Sequence, residues 1–185
     1  MDAVKEAANY INSGKVILYP TDTIWGLGCD LFSYTAINKI YKIKKRPNNK
    51  GFILLINSIN DIKKYIVKIP PNIYSIISKF KKPTTVILDN PKNLPEYIID
   101  NKSLAFRITN NLFCSQVINL IGKPLISTSA NIGGEQSPTN QISSVSDIIK
   151  QQVDYIALSE DRSGSGAASG IVHIKENGEL VIIRN

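Results

Sequence analysis

The chain has 185 residues, of which 43% are apolar and 20% charged, with 11 Gly and 9 Pro; that composition excludes collagen-like, low-complexity and wholly disordered chains. No apolar run reaches the roughly 18 residues a membrane span needs, and the opening Asp2-Ala3-Val4-Lys5-Glu6 reads as a charged helix start rather than a signal peptide, so a soluble, cytoplasmic protein with no membrane partner is expected. The charge of 22 − 15 = +7 favours an anionic partner such as a nucleotide, phosphate or RNA.

Residues 2–12 place Val4, Ala7, Ala8 and Ile11 on one helical face, and Gly14 follows as a stop. Lys15 to Pro20 is a short apolar run closed by proline, which reads as a buried strand delivering its end to the polar segment Thr21 to Gly28. Tyr34 to Lys45 carries a second helical stripe, ended by Pro47. Phe52 to Ile56 reads as a strand, residues 59–67 and 71–80 as helices, and Thr84 to Leu88 as a strand.

Ser103 to Ile108 alternates as a strand does, residues 110–121 form a helix ended by Gly122, and Pro124-Leu125-Ile126 is a strand running into Ser127-Thr128-Ser129-Ala130-Asn131. Residues 142–151 read as a helix and Asp154 to Leu158 as a strand. A Gly/Ser loop from Ser159 to Gly170 leads into two closing strands, Ile171 to Ile174 and Leu180 to Ile183. Strands and helices interleave throughout, so the expected class is α/β, a single domain spanning 1–185 with a twisted mixed sheet and flanking helices.

Four arginines stand among 18 lysines: Arg46, Arg107, Arg162 and Arg184. Their planar forks read carboxylates and phosphates bidentately, which lysine cannot do, so each one is informative. Lys39, Lys42, Lys44, Lys45, Arg46 and Lys50 follow one another with no acidic residue between them. This run is either a solvated helix end whose cations favour the dipole or, with Lys44 and Arg46 held at a fixed exit, a polyphosphate grip. Ser127 to Asn131 places three hydroxyls and an amide after an apolar strand, either a turn and cap or a ligand site. The loop Gly164 to Gly170 lacks the third glycine of a dinucleotide fingerprint and the Gly-Lys-Ser/Thr of a P-loop. With His173 the sole histidine, and Cys29 and Cys114 far apart, neither a Ser-His-Asp triad nor a zinc knuckle is expected. Chemistry here must rest on positioning and fixed positive charge.

Taken together, Pro20-Thr21-Asp22-Thr23-Ile24-Trp25-Gly26-Leu27, Lys44-Lys45-Arg46-Pro47 and Ser129-Ala130-Asn131 resemble, in order, the PT(D/E)TxxGL, KxRP and SxN signatures of the YrdC-like family. The likeness is to its short-form members, the threonylcarbamoyl-AMP synthases, and extends through Lys50 to Leu54, Leu104 to Arg107 and Gly122 to Asn131. It implies an α/β fold around a concave basic cavity. It also implies an ATP-dependent nucleotidyltransferase that turns L-threonine, bicarbonate or CO2 and ATP into L-threonylcarbamoyladenylate and pyrophosphate. The product serves N6-threonylcarbamoyladenosine formation in tRNA.

By the same resemblance Thr23, Arg107 and Ser169 match threonine-binding positions, and Lys44 and Arg46 match catalytic, phosphate-facing ones. Lys50, Ser103, Ser127, Ser129, Asn131, Ser137 and Arg184 match further ATP-binding positions. Mg²⁺ is implied alongside ATP, and a tRNA contact and a downstream threonylcarbamoyl transferase complex are the implied partners. No side chain is identified as a metal ligand. Leu55 stands where longer members have histidine. Two other readings compete: a non-catalytic RNA-binding module of ribosome maturation, to which lysines alone would suffice, and carbamoyl transfer in hydrogenase maturation, which would call for a much longer chain with CxxC modules.

Overall fold

The structure, a computed structural model, describes residues 2–46, 51–159 and 164–185. Asp2 caps the first helix through a hydrogen bond from Val4 N–H, and α1 (Ala3–Asn12) buries Ala7, Ala8 and Ile11. Strand β1 (Ile17–Tyr19) follows, then β2 (Gly26–Asp30) and α2 (Tyr34–Lys44), the last closed by Lys45 in the left-handed region at φ 47°. Next come β3 (Ile53–Ile56), a 3₁₀ segment Ile59–Lys64, α3 (Ile73–Ile77), β4 (Thr84–Asp89) and β5 (Ser103–Ile108). The chain finishes with α4 (Leu112–Ile121), β6 (Leu125–Ser129), α5 (Asp147–Gln152), β7 (Tyr155–Ile156), β8 (Gly170–Ile174) and β9 (Leu180–Arg184).

The strands form one mixed sheet in the order β7-β1-β2-β6-β3-β5-β4-β8-β9. The pairs β1·β7, β3·β5 and β4·β8 are parallel, and the remaining neighbours antiparallel. The α/β expectation therefore holds.

The elements depart from the sequence expectations in several places: the strand expected over Asp154 to Leu158 keeps only Tyr155–Ile156, and β6 runs on through Ser127 to Ser129. Strand β2 begins inside the stretch read as a polar segment, Thr21 to Gly28, and is not expected there because glycine depresses strand propensity. Gly28 is there for closeness: a Cβ on it would lie 2.7 Å from both the Ile126 carbonyl oxygen and the Tyr19 ring. The helices expected at 59–67 and 71–80 shrink to a 3₁₀ segment and five residues of α3, separated by Pro70 and Pro71. The helix expected at 142–151 divides into the 3₁₀ turn Ile142–Ser144 and α5. There Ser144 Oγ donates to the Gln141 carbonyl and accepts from Thr139 N–H, competing with helical bonding.

Alternation along the strands assigns the two faces. Leu54, Phe106, Val86, Ile126 and Val172 belong to the larger core, with Ile37, Ile40 and Tyr41 of α2. On the opposite face Ile17, Tyr19, Leu55 and Leu125 pack with α1 and α4, through Ile11, Phe113 and Val117. That second cover stops short. Ser127 and Ser129 on β6, Ile53 on β3, Arg107 on β5 and Thr85 on β4 continue its strands beyond the helices and line an open cavity. Leu55 is fully buried beneath the helices and is not among the cavity-lining residues. Both cysteines are free and buried, consistent with their reading as small apolar residues.

Candidate functional site

The cavity measures about 590 Å³, within the range of small-molecule sites. Thr23, Arg107, Ser169 and Thr85 all line it; Arg107 holds Asp22, the neighbour of Thr23, and Thr85 bonds Ser169. Arg46, Ser127, Ser129 and Ser137 line it from the segment just after α2, from β6 and from the following loop, and Ser103 and Arg184 from β5 and β9. An apolar stretch is made by Phe52, Ile53, Ile98 and Leu104, with Asp100 its carboxylate. Lys44 and Asn131 stand behind the wall rather than on it, and Lys50 lies outside the described residues, as does Pro47.

Arg107 is 5% exposed and its Nη2 donates to Asp22 Oδ1 at 3.1 Å, with Asp22 itself 6% exposed. Asp22 Oδ2 and Arg107 Nε are buried and make no hydrogen bond within the protein. The contact is one-armed, so Asp22 balances the buried charge without using the whole fork. Thr21 and Thr23 flank Asp22 and are joined through their hydroxyl oxygens at 2.8 Å.

The late glycine loop is docked on this segment. Ser165 and Gly166 N–H groups donate to the Asp22 and Thr23 carbonyls at 3.0 and 2.9 Å, and Asn140 Nδ2 donates to Gly164 O at 2.8 Å. A Cβ on Gly164 would fall 2.8 Å from Thr21 O and 2.9 Å from Thr23 O, so only glycine allows the approach. At the loop's end, Ser169 shares a 2.8 Å hydrogen bond with Thr85, and its carbonyl accepts Arg184 Nε and Nη2 at 3.0 and 2.8 Å. The segment Gly164 to Gly170, which matches neither glycine motif in sequence, contributes Ala168 and Ser169 to the cavity wall.

On the phosphate-suited side, Arg46 lies over the rings of Tyr41 and Phe52, with its carbon 5.0 and 4.5 Å from their centroids, and Nη1 reaches Thr128 Oγ1 at 3.4 Å. Lys44, 3% exposed, turns its ammonium onto the Ser129 carbonyl, the Asn131 carbonyl at 2.7 Å and Asn131 Oδ1 at 3.3 Å. Burial first, and the Arg46 charge second, push the Lys44 ammonium down to about 7. Three oxygens around Nζ pull the other way, since three acceptors match the three protons of the charged form. Ser129 Oγ spends its proton on Asn131 Oδ1 at 2.5 Å and so faces the cavity as an acceptor. Ser127 is the reverse: Tyr19, whose phenol is pushed well up by burial and then by Cys114, donates to Ser127 Oγ at 2.7 Å. The Ser127 proton is thereby left for a ligand.

Sequence reasoning passes over Asp22, Thr21 and Thr85. Asp22 carried a usable signal, because a carboxylate at the end of a buried strand needs a partner. Thr85 carried none, since its pairing with Ser169 crosses 84 positions. His173 bonds Asp89 at 2.9 Å, away from the cavity-lining residues.

The family described as telomere recombination, defined on Sua5, YciO and YrdC, matches residues 9–185. The threonylcarbamoyl-AMP synthase of Wigglesworthia glossinidia brevipalpis is 37% identical over 131 residues, covering 69% of this chain and 68% of that protein. The threonylcarbamoyl-AMP synthase of Pseudoalteromonas translucida (strain TAC 125) is 32% identical over 167 residues, 88% and 87% of the two chains. Among solved structures, a doubly substituted P. abyssi Sua5 superposes with a TM-score of 0.88 at 25% identity, over 100% of this chain and 57% of that one.

Proposed function

The chain belongs to the Sua5, YciO and YrdC family, and on that premise we propose that it is a threonylcarbamoyl-AMP synthase. It joins L-threonine, bicarbonate or CO2 and the adenylyl group of ATP into L-threonylcarbamoyladenylate, with release of pyrophosphate and, where bicarbonate is the carbon source, of water. Curated relatives bearing that name at 32–37% identity over most of the chain support it. The observation that carries it is the convergence of Thr23, Arg107 and Ser169 with Arg46, Ser127 and Ser129 on one cavity of about 590 Å³. A non-catalytic RNA-binding module would have no use for a buried guanidinium among hydroxyls inside a cavity, and that reading is not favoured.

In this reaction Arg107 takes the threonine carboxylate, a match of fork to planar anion. Thr23 and Ser169 hold the rest of the amino acid. The neutral amine adds to CO2 to give a carbamate and release a proton. A carbamate oxygen then attacks the α-phosphorus of ATP, and the bond to the bridging oxygen breaks as pyrophosphate leaves. Arg46 and the Ser127 hydroxyl are suited to the charge that accumulates on the phosphate oxygens. Lys44 supports the Ser129 to Asn131 turn from behind, and Ser103, Ser137 and Arg184 complete the ATP side. The apolar stretch of Phe52, Ile53 and Leu104 suits the adenine ring.

Magnesium enters as part of the ATP substrate. Among the described residues no cluster of three metal-ligating side chains exists, and Asp100 is the carboxylate on the cavity wall; phosphate oxygens would supply most of its ligands. A tRNA contact and hand-over to a transferase complex extend the proposal, supported by the net charge of +7. So does a cytoplasmic location; among the described residues no helix is long and apolar enough to cross a membrane. Incubation with ATP, threonine and bicarbonate tests the activity: pyrophosphate and a threonylcarbamoyladenylate mass, both dependent on threonine, are expected, and pyrophosphate release indifferent to threonine would overturn it.

A further inference from the structure

The hydroxyl of Thr21 has one proton and two lone pairs, and all three are committed. Thr21 Oγ1 donates to the Ile24 carbonyl at 2.8 Å, and a carbonyl can only accept. It accepts from Thr23 N–H at 3.0 Å. Its remaining contact, 2.8 Å to Thr23 Oγ1, can therefore run in one direction only: the Thr23 hydroxyl donates. Thr21 and Thr23 are 4% and 1% exposed, and Asp22 and Thr23 carbonyls are pinned by the Ser165 and Gly166 N–H groups. This arrangement leaves the Thr23 hydroxyl little room to turn.

Thr23 lines the cavity with its proton directed back at Thr21, and what it offers a ligand is oxygen lone pairs. Arg107, on the same wall, can only donate. One end of the cavity thus pairs an obligate donor with an obligate acceptor. An α-amino acid has the complementary pair, a carboxylate that only accepts and an amino group whose N–H bonds donate. A substrate hydroxyl would not need such an arrangement, because it can rotate to match either polarity; the amino group is the part that a fixed acceptor distinguishes.

We propose that Thr21 is a positioning residue that holds the Thr23 hydroxyl as an acceptor for the α-amino group of the substrate, so that the site selects amino acids over their keto analogues. This rests on the synthase reading of the cavity.

The test uses L-2-aminobutyrate and 2-oxobutyrate, which share chain and carboxylate and carry at the α-carbon a charged donor in one and a neutral carbonyl acceptor in the other. Both are titrated calorimetrically onto the full chain saturated with a non-hydrolysable ATP analogue, with L-threonine as the reference ligand. The wild type is expected to favour the amino over the keto compound by about 100-fold, the scale of a charge-assisted hydrogen bond exchanged for a clash of lone pairs. In Thr21→Val the Thr23 proton is released to turn toward a keto oxygen, and the preference should narrow by about tenfold. Thr21→Ser, which keeps the hydroxyl, should retain it. In turnover, Thr21→Val should raise the threonine KM while the ATP KM stays within about twofold.

A purely structural Thr21 would weaken both ligands equally and leave their ratio unchanged, which overturns the proposal. If Thr21→Val melts below the assay temperature, Thr23→Val decides: loss of the amino preference supports a Thr23 acceptor, and its retention overturns it. A wild type that turns over threonine but shows no amino preference defeats this proposal alone. A wild type that neither binds threonine nor releases pyrophosphate defeats the synthase reading and takes this proposal with it.

Discussion

Lys44 and Asn131, 87 positions apart in the chain, form one unit: the Lys44 ammonium lies 2.7 Å from the Asn131 carbonyl, while the Lys44 carbonyl accepts Gly133 N–H at the far side of the same turn. The last residue of α2 therefore clamps the loop that follows β6 at two points. A Cβ on Gly133 would come within 3.1 Å of that Lys44 carbonyl, so a larger residue there would push the clamp apart by a few tenths of an ångström.

Lys44→Met should consequently act on folding as well as on ATP. Removing the ammonium leaves the Ser129 and Asn131 carbonyls without their donor, a loss of about 1–3 kcal/mol for each buried unsatisfied group. A melting temperature several degrees lower and a raised ATP KM, with the threonine KM little changed, are expected. Normal melting with a normal ATP KM would show that the clamp is dispensable.

The position of Lys44 also ties stability to pH. Its proton is lost at about 7 in the folded chain and near 10.4 in an unfolded one. Between those values the unfolded state binds more protons, so this group makes stability rise with pH from about 7 toward 10, and contributes no slope below that window. Urea unfolding of wild type and Lys44→Met at several pH values should show the difference between them changing only above neutrality. A difference that is flat from pH 7 to 10 would mean the three oxygens around Nζ hold the proton throughout.

Arg107→Lys keeps a positive charge beside Asp22 but loses the fork. The threonine KM should rise by about tenfold or more, the scale of one charge-assisted hydrogen bond, with the ATP KM unchanged. Arg107→Ala is expected to behave differently, melting early because Asp22 is left buried and uncompensated, at a cost of about 3–5 kcal/mol. Parallel threonine and ATP titrations of the lysine variant, with a melting curve for each, check both statements.

Gly164→Ala tests the docking of the late loop. The added methyl would sit 2.8 Å from Thr21 O and 2.9 Å from Thr23 O, so the loop must lift from the segment it braces. The threonine KM should rise by about tenfold, with only a small change in melting temperature because the loop covers the site rather than the core. Kinetics indistinguishable from wild type would mean that the docking does not shape the site.

Much of this protein was legible in one dimension. The amphipathic stripe of α1, the capping Asp2 and the apolar runs of β1, β5 and β6 are properties of neighbouring residues, and local propensity and periodicity report them. Thr23, Arg107 and Ser169 could be named because ordered motifs travel with a family. Strand β2 could not be read, because Gly28 answers to Tyr19 and Ile126 on neighbouring strands rather than to any local preference.

Tertiary structure alone decided what each side chain faces. A lysine at the end of a helix is expected in water, yet Lys44 is buried against a turn 87 positions later. Asp22 reads as a polar residue after a strand and becomes the counter-charge of Arg107, 85 positions away. The direction of the Thr23 proton depends on Thr21 being saturated by three contacts at once. Sequence settles residue type and periodicity, which are local; hydrogen-bond polarity and the partner of a buried charge follow from which strands lie side by side, and that exists only once the sheet has closed.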